Sequence, residues 1–401
     1  MSQSRSEGSS GPLSGVKIVD MTRVLAGPIC TMILADMGAE TVKIESPVRM
    51  EPSQPGQPSM ADFPRLIERN KKSVTLDLRS DKGKEILRRL IQWGDVVVEN
   101  YRPGVMEDMG FPYRVMRDIN PRIILTSISG FGQTGPYASR AAFDTVGEAM
   151  GGIMAVTGPA DSPPMASGAA IADISAGIFG ALGTALALYH QKSTGLGQHV
   201  DASLMESIVF FMNMNFSMYN TGRPAGKGAA FSPERTPGAG TFLTSDGVYI
   251  VIMALTDPHW AILTKLIGRE ELPTTPGYTT RADRGKHGVE IQDMIQEWVG
   301  IHTIDEVEAI VDKAGIPYGR VQTLEDLIKD PHLRGRGRII DVDHKGKKLP
   351  YIAPYPVLSE TPGQLWKTWP QRPGENNEEI YSGVLGFSHD ELVTLSNEGV
   401  I

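Results

Sequence analysis

The sequence predicts an α/β protein with a doubly wound, Rossmann-like and mostly parallel sheet, and a smaller α+β domain. Two observations support this prediction. In the first half of the chain, short apolar strands alternate with helical segments, which is the pattern of βαβ units. Beyond a stretch rich in Gly and Pro at residues 222–240, the alternation stops, and a hairpin followed by helices takes its place.

The first βαβ unit can be followed along the chain. Residues 16–20 read as a buried strand. Pro28 opens a helix that runs through Ala35, because Pro is tolerated in the first helical turn. Gly38 ends this helix, and residues 41–45 form the next strand. The spacing predicts two parallel strands joined by a right-handed crossover.

Three further strands extend this sheet. The first follows a basic turn within residues 70–78, and the others lie at 95–100 and 122–129. Ser80 is the expected N-cap of a helix at residues 81–93. In a sheet of this kind, ligands bind beyond the carboxyl ends of the strands. We therefore expect the functional residues in the loops that follow the strands.

One glycine-rich motif matches the pattern of a dinucleotide-binding site but lacks its context. Residues 130–135 match G-x-G-x-x-G after a strand, but Pro136 and Tyr137 follow where a helix should carry a pyrophosphate. The turn after the first strand lacks the motif altogether. We therefore expect no NAD.

The later elements complete the predicted organisation. A strand at 198–204 leads into a helix at 205–216, a hairpin turns at Asp246-Gly247, and helices follow near 260–267, 289–301 and 304–314. From Pro317 the chain reads as loop-rich. The predicted divisions are a flexible tail at 1–14, a large α/β domain at 15–221, a small α+β domain at 222–325, and a return segment packing on the large domain at 326–401.

Composition narrows the function classes. The 401 residues are 40% hydrophobic and 21% charged with a net charge of −8, which argues against nucleic acid or an anionic membrane as a partner. The single cysteine, Cys30, lies in an apolar run, as a buried thiol in a reducing compartment would. The N-terminal residues lack the apolar region of a signal peptide, and the uncharged span 174–189 is short for a membrane helix. These features predict a cytoplasmic protein. The histidines show no metal-ligand spacing, so we expect no bound metal.

Asp173 is the most promising chemical group. It precedes a helical span, residues 174–189, with no charge and with small residues that let other chain segments approach, so we expect the helix to be buried on every face with room beside it. The structural alternative is that Asp173 is an N-cap. However, the preceding residues 166–170 are as small as a cavity wall requires, and the positive helix end favours an ionised carboxylate. Such a carboxylate can act as a nucleophile.

Many ordered blocks of the sequence resemble the family III CoA-transferases, the group of formyl-CoA transferase and carnitine CoA-transferase. The similarity covers nearly the whole chain after the tail, in blocks at residues 12–20, 26–28, 34–45, 70–78, 98–104, 120–124, 130–132, 168–177 and 195–198. The resemblance implies an interlocked homodimer and a CoA-binding role for the large domain. It also implies that Asp173 attacks an acyl-CoA to give an anhydride and then an aspartyl-CoA thioester. The helix N-terminus would help to stabilise an oxyanion.

By the same resemblance, particular residues are expected to contact CoA. Those near the thiol end are Val24, Leu25 and Ala26; those near the phosphates are Asn70, Lys71 and Lys72. The nucleotide and pantetheine would be lined by Leu76, Asp77, Leu78, Arg79, Asn100, Tyr101 and Arg102, and the pair Phe143 and Asp144 would complete the site.

The chain departs from formyl-CoA transferase at several of these positions. Leu25 replaces a Gln, Ser46 and Ala141 replace basic residues, and Phe143-Asp144 replaces a Tyr-Glu pair. Residues 235–240 replace a longer glycine-rich lid. Formate or oxalate specificity therefore does not carry over.

The expected reaction takes CoA from an acyl-CoA, with succinyl-CoA favoured, to a dicarboxylic, hydroxy-substituted or aryl-substituted acid. The acceptor would be held by Arg23, Arg49 or Arg235, with Gly238 and Gly240 in the adjoining loop; each Arg can equally be a surface residue. One alternative is an α-methylacyl-CoA racemase, which needs a His-Asp pair where this chain has Phe143-Asp144. Another is a subunit that pairs with a related chain in a heteromeric transferase.

Overall fold

The computed structural model describes residues 11–47, 66–223, 226–227, 232–344, 346–370 and 372–401. The chain separates into two compact units. The first consists of the described residues within Met1–Met154, Ala166–Asn213 and Gly335–Ile401, and the second of those within Ala155–Met165 and Met214–Arg334.

The helices and strands of the described residues are numbered here in chain order. The strands are β1 (Lys17–Asp20), β2 (Glu40–Glu45), β3 (Lys71–Thr75), β4 (Val96–Glu99), β5 (Ile124–Ser129), β6 (His199–Ser203), β7 (Ala239–Leu243), β8 (Tyr249–Met253), β9 (Tyr318–Arg320), β10 (Ile339–His344) and β11 (Lys347–Ile352). The helices are α1 (Ala26–Asp36), α2 (Asp81–Trp93), α3 (Val105–Asp108), α4 (Tyr113–Ile119), α5 (Asp144–Gly151), α6 (Ile171–Thr194), α7 (Leu204–Phe211), α8 (Asn213–Asn220), α9 (Asp257–Leu266), α10 (Arg281–Lys286), α11 (Gly288–Gly300), α12 (Ile304–Lys313), α13 (Leu324–Lys329), α14 (Pro331–Gly335), α15 (Asn377–Tyr381) and α16 (His389–Asn397).

A six-stranded parallel sheet organises the first unit, in the order β3-β2-β1-β4-β5-β6. This order confirms the predicted doubly wound α/β fold, whose strand order reverses between β1 and β4. The strands alternate side chains between two apolar layers. Val97 faces the layer that includes residues of α2 and α4, and its neighbours Val96 and Val98 face the layer of α1 and α6.

The C-terminal residues cover the edge strand β3. The side-chain oxygens of Asn376 and Asn377 accept hydrogen bonds from the backbone N–H groups of Ser73 and Thr75, each at 2.9 Å. The hydroxyl of Tyr381 donates to the carbonyl of Thr75 at 2.7 Å. An unpaired strand edge invites association with other chains, so these side chains protect the sheet.

The second unit contains the three-stranded antiparallel sheet β7-β8-β9. The predicted hairpin is present as β7 and β8, with Gly247 at a positive φ of 81° in the turn. Helices α9, α11 and α12 contribute Trp260, Ile291 and Val307 to the apolar core that also includes Phe242 of β7.

Two predictions of secondary structure were wrong. The helix expected at residues 205–216 is divided at Met212 into α7 and α8. The part after Pro317 contains more regular structure than predicted, since β9 to β11 and α13 to α16 interrupt its loops. The last helix begins with a capping box of Ser388 and Glu391, a signal that local sequence does carry.

Candidate active site

The loop after β1 lies at the point where the strand order of the sheet reverses. It connects β1 to α1, and the loop after β4 lies beside it because β1 and β4 are adjacent and parallel. In doubly wound sheets, this crevice at the carboxyl ends of the strands is where ligands bind. The structure therefore brings together the two groups of predicted CoA contacts that begin at Val24 and at Asn100.

Val24 has an unusual backbone conformation within this loop. Its φ is 66°, in the left-handed region that a β-branched residue rarely adopts, and its side chain is exposed. Asn100 holds the neighbouring peptide groups. Its amide oxygen accepts from the N–H of Arg23 and its amide nitrogen donates to the carbonyl of Arg23, both at 2.7 Å. Strain of this kind persists where the surroundings fix the backbone, and it concentrates at functional sites.

The Arg23 side chain rests on Tyr101, which follows β4. Its guanidinium lies 5.3 Å from the centre of the Tyr101 ring. Gly27 is also required here, because a Cβ at that position would lie 2.5 Å from the Cβ of Thr22 and 3.0 Å from the Cγ of Asn100. The loop and the end of β4 thus form one closely packed structure.

A buried ionic cluster supports the loop from below. The carboxylate of Asp20 accepts from the N–H of Thr22 at 2.8 Å, and the ammonium of Lys43 donates to the carbonyl of Thr22 at 2.6 Å. Asp20 also lies 3.0 Å from the ammonium of Lys71. Burial alone would raise the pKa of Asp20, but Lys43 and Lys71 hold it well below its usual range.

Lys71 does not reach solvent, contrary to the expectation that it meets a phosphate. Its side chain is 0% exposed, and its ammonium lies between Asp20 and Glu68, the latter at 2.7 Å. Burial lowers its pKa, but these two carboxylates outweigh burial and raise it. A phosphate would have to displace two carboxylates, so the geometry assigns Lys71 to the support of the loop.

The neighbours of Lys71 also have structural partners. Asn70 is fully buried with φ of 61°, and its amide binds Asp36 at 2.8 Å and the backbone of residues 364–367. Lys72 forms ion pairs with Glu40 and Glu379, both at 2.7 Å. In this structure Asn70 therefore ties the C-terminal segment to the sheet, and Lys72 is the more accessible of the two lysines.

The residues beyond β3 divide by exposure. Leu76 is buried in the apolar layer, and Leu78 packs against the same layer. Asp77 and Arg79 form a surface pair at 2.8 Å, with the Arg79 side chain largely exposed. Of this group, Arg79 is the residue that can meet an anionic ligand without rearrangement.

Asp173 lies in the first turn of α6 but does not cap the helix. The N-cap residue is Ala170, which has no side-chain cap, so the N-cap interpretation of Asp173 is wrong. The capping group is instead Asp144, whose Oδ1 accepts from the N–H groups of Ala172 at 2.9 Å and Asp173 at 3.0 Å. These two N–H groups are therefore not offered to an oxyanion, contrary to the sequence-based expectation.

The Asp173 carboxylate is half-buried. Burial, followed by the charge of Asp144, raises its pKa to about 6. Burial and the charge of Asp144 thus outweigh the stabilisation that we expected from the helix end. With a pKa of about 6, the carboxyl group is still mostly ionised at neutral pH. No described residue donates a hydrogen bond to this carboxylate, which leaves its oxygens available for attack on a substrate.

The glycines of α6 bring Asp173 toward the loop after β1. A Cβ at Gly177 would lie 2.6 Å from the carbonyl oxygen of Ala26 and 2.8 Å from Ile29, so α6 and the start of α1 approach closely. Asp173 lies one turn before this contact, about 6 Å along the axis. Other parts of the protein, rather than a ligand, therefore fill the space beside these small residues. Open space lies before the helix, where a Cβ at Gly168 would meet no atom within 4 Å.

One face of α6 is exposed, although the sequence predicted burial on every face. Exposure increases along a stripe of apolar side chains, Ile174, Ile178, Leu182, Leu186 and Tyr189, from 37% to 78%. The helix runs for 24 residues, longer than the uncharged span suggested, and by length and composition alone it could cross a membrane. Its other faces pack against α1, β5 and β6, as in the core of a globular domain.

Phe143 and Cys30 carry no chemistry in this structure. Phe143 precedes α5 with an exposed ring, so it offers no proton donor beside Asp144. Cys30 is fully buried as predicted, and burial raises the pKa of its thiol to about 12. The thiol is therefore inert as a nucleophile.

A small polar cavity on the α2–α4 side of the sheet was not predicted. It measures about 60 Å³ and is lined by Glu99, Arg102 and His199, among others. Burial raises the pKa of Glu99 to about 7. The hydroxyl of Ser127 lies 2.9 Å from Nε2 of His199. A glutamate that ends an otherwise apolar strand, as Glu99 does, is a signal that sequence alone could have supplied.

The second unit holds the remaining predicted substrate residues. Arg235 lines a cavity of about 280 Å³ together with Arg223, Met214 and Met218. Its guanidinium approaches the sulfur of Met218 at 3.9 Å. Arg223 was missed because it lies outside any recognisable motif.

Two glycines shape the chain next to Arg235. Gly238 has a φ of 88°, and a Cβ at Gly240 would lie 2.9 Å from the ring of Phe242. Gly238 is therefore favoured by its backbone conformation, and Gly240 by the space that the side chain of Phe242 leaves. Arg49, also considered for the acceptor, lies outside the described residues. Within the described ranges, no group of three or more His, Cys, Asp or Glu side chains is arranged to hold a metal ion.

Comparisons with known proteins agree on one family. The family model described as CoA-transferase family III matches residues 13–377. The chain is 37% identical to a succinyl-CoA–D-citramalate CoA-transferase of Chloroflexus aurantiacus, over 97% of this chain and 98% of the relative. It is 32% identical to the β subunit of a succinyl-CoA–L-malate CoA-transferase of the same organism, over 97% and 98%. The crystal structure of a CAIB/BAIF family protein from Brucella suis superposes with a TM-score of 0.80 at 32% identity, covering 93% of this chain and 99% of that one.

Proposed function

The chain belongs to CoA-transferase family III, and from this premise we propose that it transfers CoA from succinyl-CoA to a dicarboxylic or substituted dicarboxylic acid through Asp173. The observation that carries the proposal is the state of this carboxylate. It is half-buried, mostly ionised at neutral pH and free of hydrogen bonds from described residues. It also stands one helical turn from the contact between α6 and the loop at the reversal point of the sheet.

The first half of the reaction loads CoA onto the enzyme. The Asp173 carboxylate attacks the thioester carbonyl of succinyl-CoA, the carbon–sulfur bond breaks, and a mixed anhydride and CoA thiolate form. The thiolate then attacks the aspartyl carbonyl of the anhydride. Succinate leaves as a carboxylate, and an aspartyl-CoA thioester remains.

The second half reverses these steps with the acceptor. Its carboxylate attacks the aspartyl thioester, releasing the thiolate and forming a new anhydride. The thiolate attacks the acceptor carbonyl, which yields the new acyl-CoA and regenerates the Asp173 carboxylate. No net proton is consumed, and no group other than the carboxylates and the thiol reacts.

The CoA contacts follow from the loops at the carboxyl ends of the strands. Val24 to Ala26 would meet the thiol end, since Asn100 fixes this loop beside the start of α1. Tyr101 and Arg102 would continue the site along the end of β4. Arg79 and Arg102, which follow β3 and β4, are the exposed basic residues of the predicted set, so we assign the phosphates to them rather than to Lys71.

The donor and acceptor are proposed from two lines of support. Two relatives are named for succinyl-CoA as donor, with D-citramalate and L-malate as acceptors. The cavity of the second unit combines two guanidinium groups, Arg223 and Arg235, with methionine side chains. This set suits a carboxylate that carries an apolar substituent, because Arg binds carboxylates through paired N–H donors.

The test is a screen of acceptor acids with succinyl-CoA, with product acyl-CoA measured by mass spectrometry. We expect dicarboxylates to be preferred, and Arg235→Ala to raise KM for dicarboxylates about tenfold more than for monocarboxylates, a difference of about 1.4 kcal/mol. Arg114→Ala, an exposed arginine of α4, is the control. Equal effects of Arg235→Ala on both classes of acid would reject its role, and racemisation of a 2-methylacyl-CoA without transfer would favour the racemase.

We also propose that the active form is a dimer whose second chain covers the stripe of α6. Contiguous exposed apolar side chains of this kind mark interfaces. Replacing Leu182 by Lys should convert the dimer to monomer in light scattering, whereas Lys192→Glu on the same helix should not. A homodimer is the first choice; one relative is named as a β subunit, so association only with a related chain is the alternative outcome. We propose a cytoplasmic location, which cell fractionation tests.

A further inference from the structure

Three polar side chains stand side by side toward the carboxyl ends of β4, β5 and β6. Glu99 is paired in register with Ser127, and Ser127 is paired with Asp201. Aligned residues of neighbouring parallel strands point to the same face of the sheet, so these side chains form one polar row. The row lies on the face that carries the small polar cavity, whose lining includes Glu99 and Ser127.

Two carboxylates of this row bind the loops that follow the strands. The Oε2 of Glu99 accepts from the N–H of Tyr101, in the loop after β4, at 2.7 Å. The Oδ2 of Asp201 accepts from the N–H of Gln133, in the loop after β5, at 2.9 Å. The start of each loop is therefore fixed by an acidic side chain of the sheet.

The bond from Glu99 determines the path of the loop after β4. The guanidinium of Arg23 lies 5.3 Å from the ring centre of Tyr101. Asn100 binds the N–H and the carbonyl of Arg23, both at 2.7 Å. Because the Glu99 side chain reaches past Asn100 to the N–H of Tyr101, it restrains the backbone that carries both contacts. A displacement of this backbone would also move Arg23 and the strained peptide of Val24.

The fold gains no stability from the charge of Glu99. The side chain is 3% exposed, and burial raises the pKa of its carboxyl group to about 7. Contacts with Ser127 and with the N–H of Tyr101 oppose this increase, whereas the charges of Glu107 and Asp201 add to it. A carboxyl group whose pKa is raised by folding destabilises the protein where it is ionised. Groups that lower stability in this way commonly serve function.

We propose that Glu99 is a positioning residue for CoA binding, because it holds the peptide of Tyr101 and so keeps the loop after β4 in the path that bound CoA requires. It acts through Asn100 and Tyr101, the predicted CoA contacts. A loop that is already held in its binding conformation raises affinity, since binding does not have to order it. This inference rests on the proposed function, since it concerns how the site for CoA is held.

Two substitutions at Glu99 separate its hydrogen bond from its charge. Glu99→Gln removes the charge but keeps an oxygen that can accept from Tyr101, whereas Glu99→Met has a similar length and no such acceptor. Glu107→Gln is the matched control, because it removes a charge from the wall of the same cavity. Calorimetric titration of each full-length protein with CoA measures the dissociation constant. We expect Glu99→Met to weaken binding about tenfold, and Glu99→Gln and Glu107→Gln to stay within about threefold of the unmodified protein.

Thermal unfolding of the same variants distinguishes positioning from a structural role. At neutral pH, Glu99→Met should unfold at a temperature at least as high as that of the unmodified protein, although it binds CoA less tightly. A structural residue would instead lose stability and affinity together, and that result would reject the inference.

Two further outcomes of the titration would overturn the inference. One is a Glu99→Met variant that binds CoA as tightly as the unmodified protein. The other is a Glu99→Gln variant that binds as weakly as Glu99→Met, because the acceptor oxygen would then not be the cause. Either result leaves the proposed function intact. An unmodified protein that binds no CoA would reject the proposed function and this inference with it.

Discussion

Replacing Asp173 by Asn should abolish CoA transfer and, at neutral pH, stabilise the fold. The structure raises the pKa of this carboxyl from 3.8 to about 6. A difference of about two pH units corresponds to about 3 kcal/mol at 1.36 kcal/mol per unit. Because the side chain is only half-buried, solvent screening reduces the expected gain to about 1 kcal/mol. Functional sites commonly carry such a cost.

The gain should depend on pH in a definite direction. An Asp whose pKa is raised by folding destabilises the protein above that value, where the folded state must hold the charge. It has no effect below the pKa of the unfolded chain, where both states bind the proton. The advantage of Asp173→Asn should therefore be complete above about pH 6 and vanish toward about pH 4.

Thermal unfolding of both proteins at neutral pH and at about pH 4 measures this difference. Asp118→Asn, which removes an exposed carboxylate of α4, is the control and should change neither temperature. If Asp173→Asn is less stable than the unmodified protein at neutral pH, the reasoning is refuted. That result would mean that the ionised Asp173 carboxylate stabilises the fold. Retained transfer activity would refute the assigned role.

The remaining predictions concern the loop after β1. Asn100→Ala releases the peptide groups of Arg23 and should lower kcat/KM at least tenfold, a loss of about 1.4 kcal/mol in transition-state stabilisation. Asn120→Ala is the control, because the Asn120 amide binds backbone carbonyls at the opposite end of the strands, and it should leave kcat/KM unchanged. Steady-state kinetics measure both variants. Asp20→Asn leaves the buried Lys43 and Lys71 with one shared carboxylate, Glu68, in place of two, and should cost about 3–5 kcal/mol in urea unfolding. Glu398→Gln, which removes one partner of an exposed ion pair, should cost less than about 1 kcal/mol. Similar losses of stability in Asp20→Asn and Glu398→Gln would contradict the claim that the Asp20 cluster stabilises the fold.

The fold could be predicted because its signals are local. Strand β4 is a short run of valines before Glu99, and Ser80 caps α2 as expected, accepting from the N–H of Gly83. The order of the strands then follows from the few ways in which βαβ units can pack. The start of α6 near Asp173 was predicted for the same reason.

The details of the site could not be predicted because they depend on residues distant in sequence. The first-turn N–H groups of α6 are bound by Asp144 from another helix, so nothing near Asp173 announces that they are occupied. Lys71 looks like a phosphate ligand within its basic run, but Asp20 from β1 and the buried position decide otherwise.

The exposed stripe of α6 shows a different limit. A helix that is apolar all round can be covered by its own chain or by another, and composition does not distinguish the two. Leu186, at 61% exposure, lies among residues that pattern alone assigns to the core.

The central claim is that Asp173 becomes covalently modified during turnover. The most direct measurement mixes the enzyme with succinyl-CoA in the absence of acceptor, treats it with hydroxylamine or borohydride, and locates the product by peptide mass spectrometry. We predict a hydroxamate or a reduced side chain at Asp173, with solvent deuterium entering the α-position of the acyl group only at background rate. An unmodified Asp173 together with rapid deuterium uptake would contradict the account and indicate a racemase in which Asp173 transfers protons.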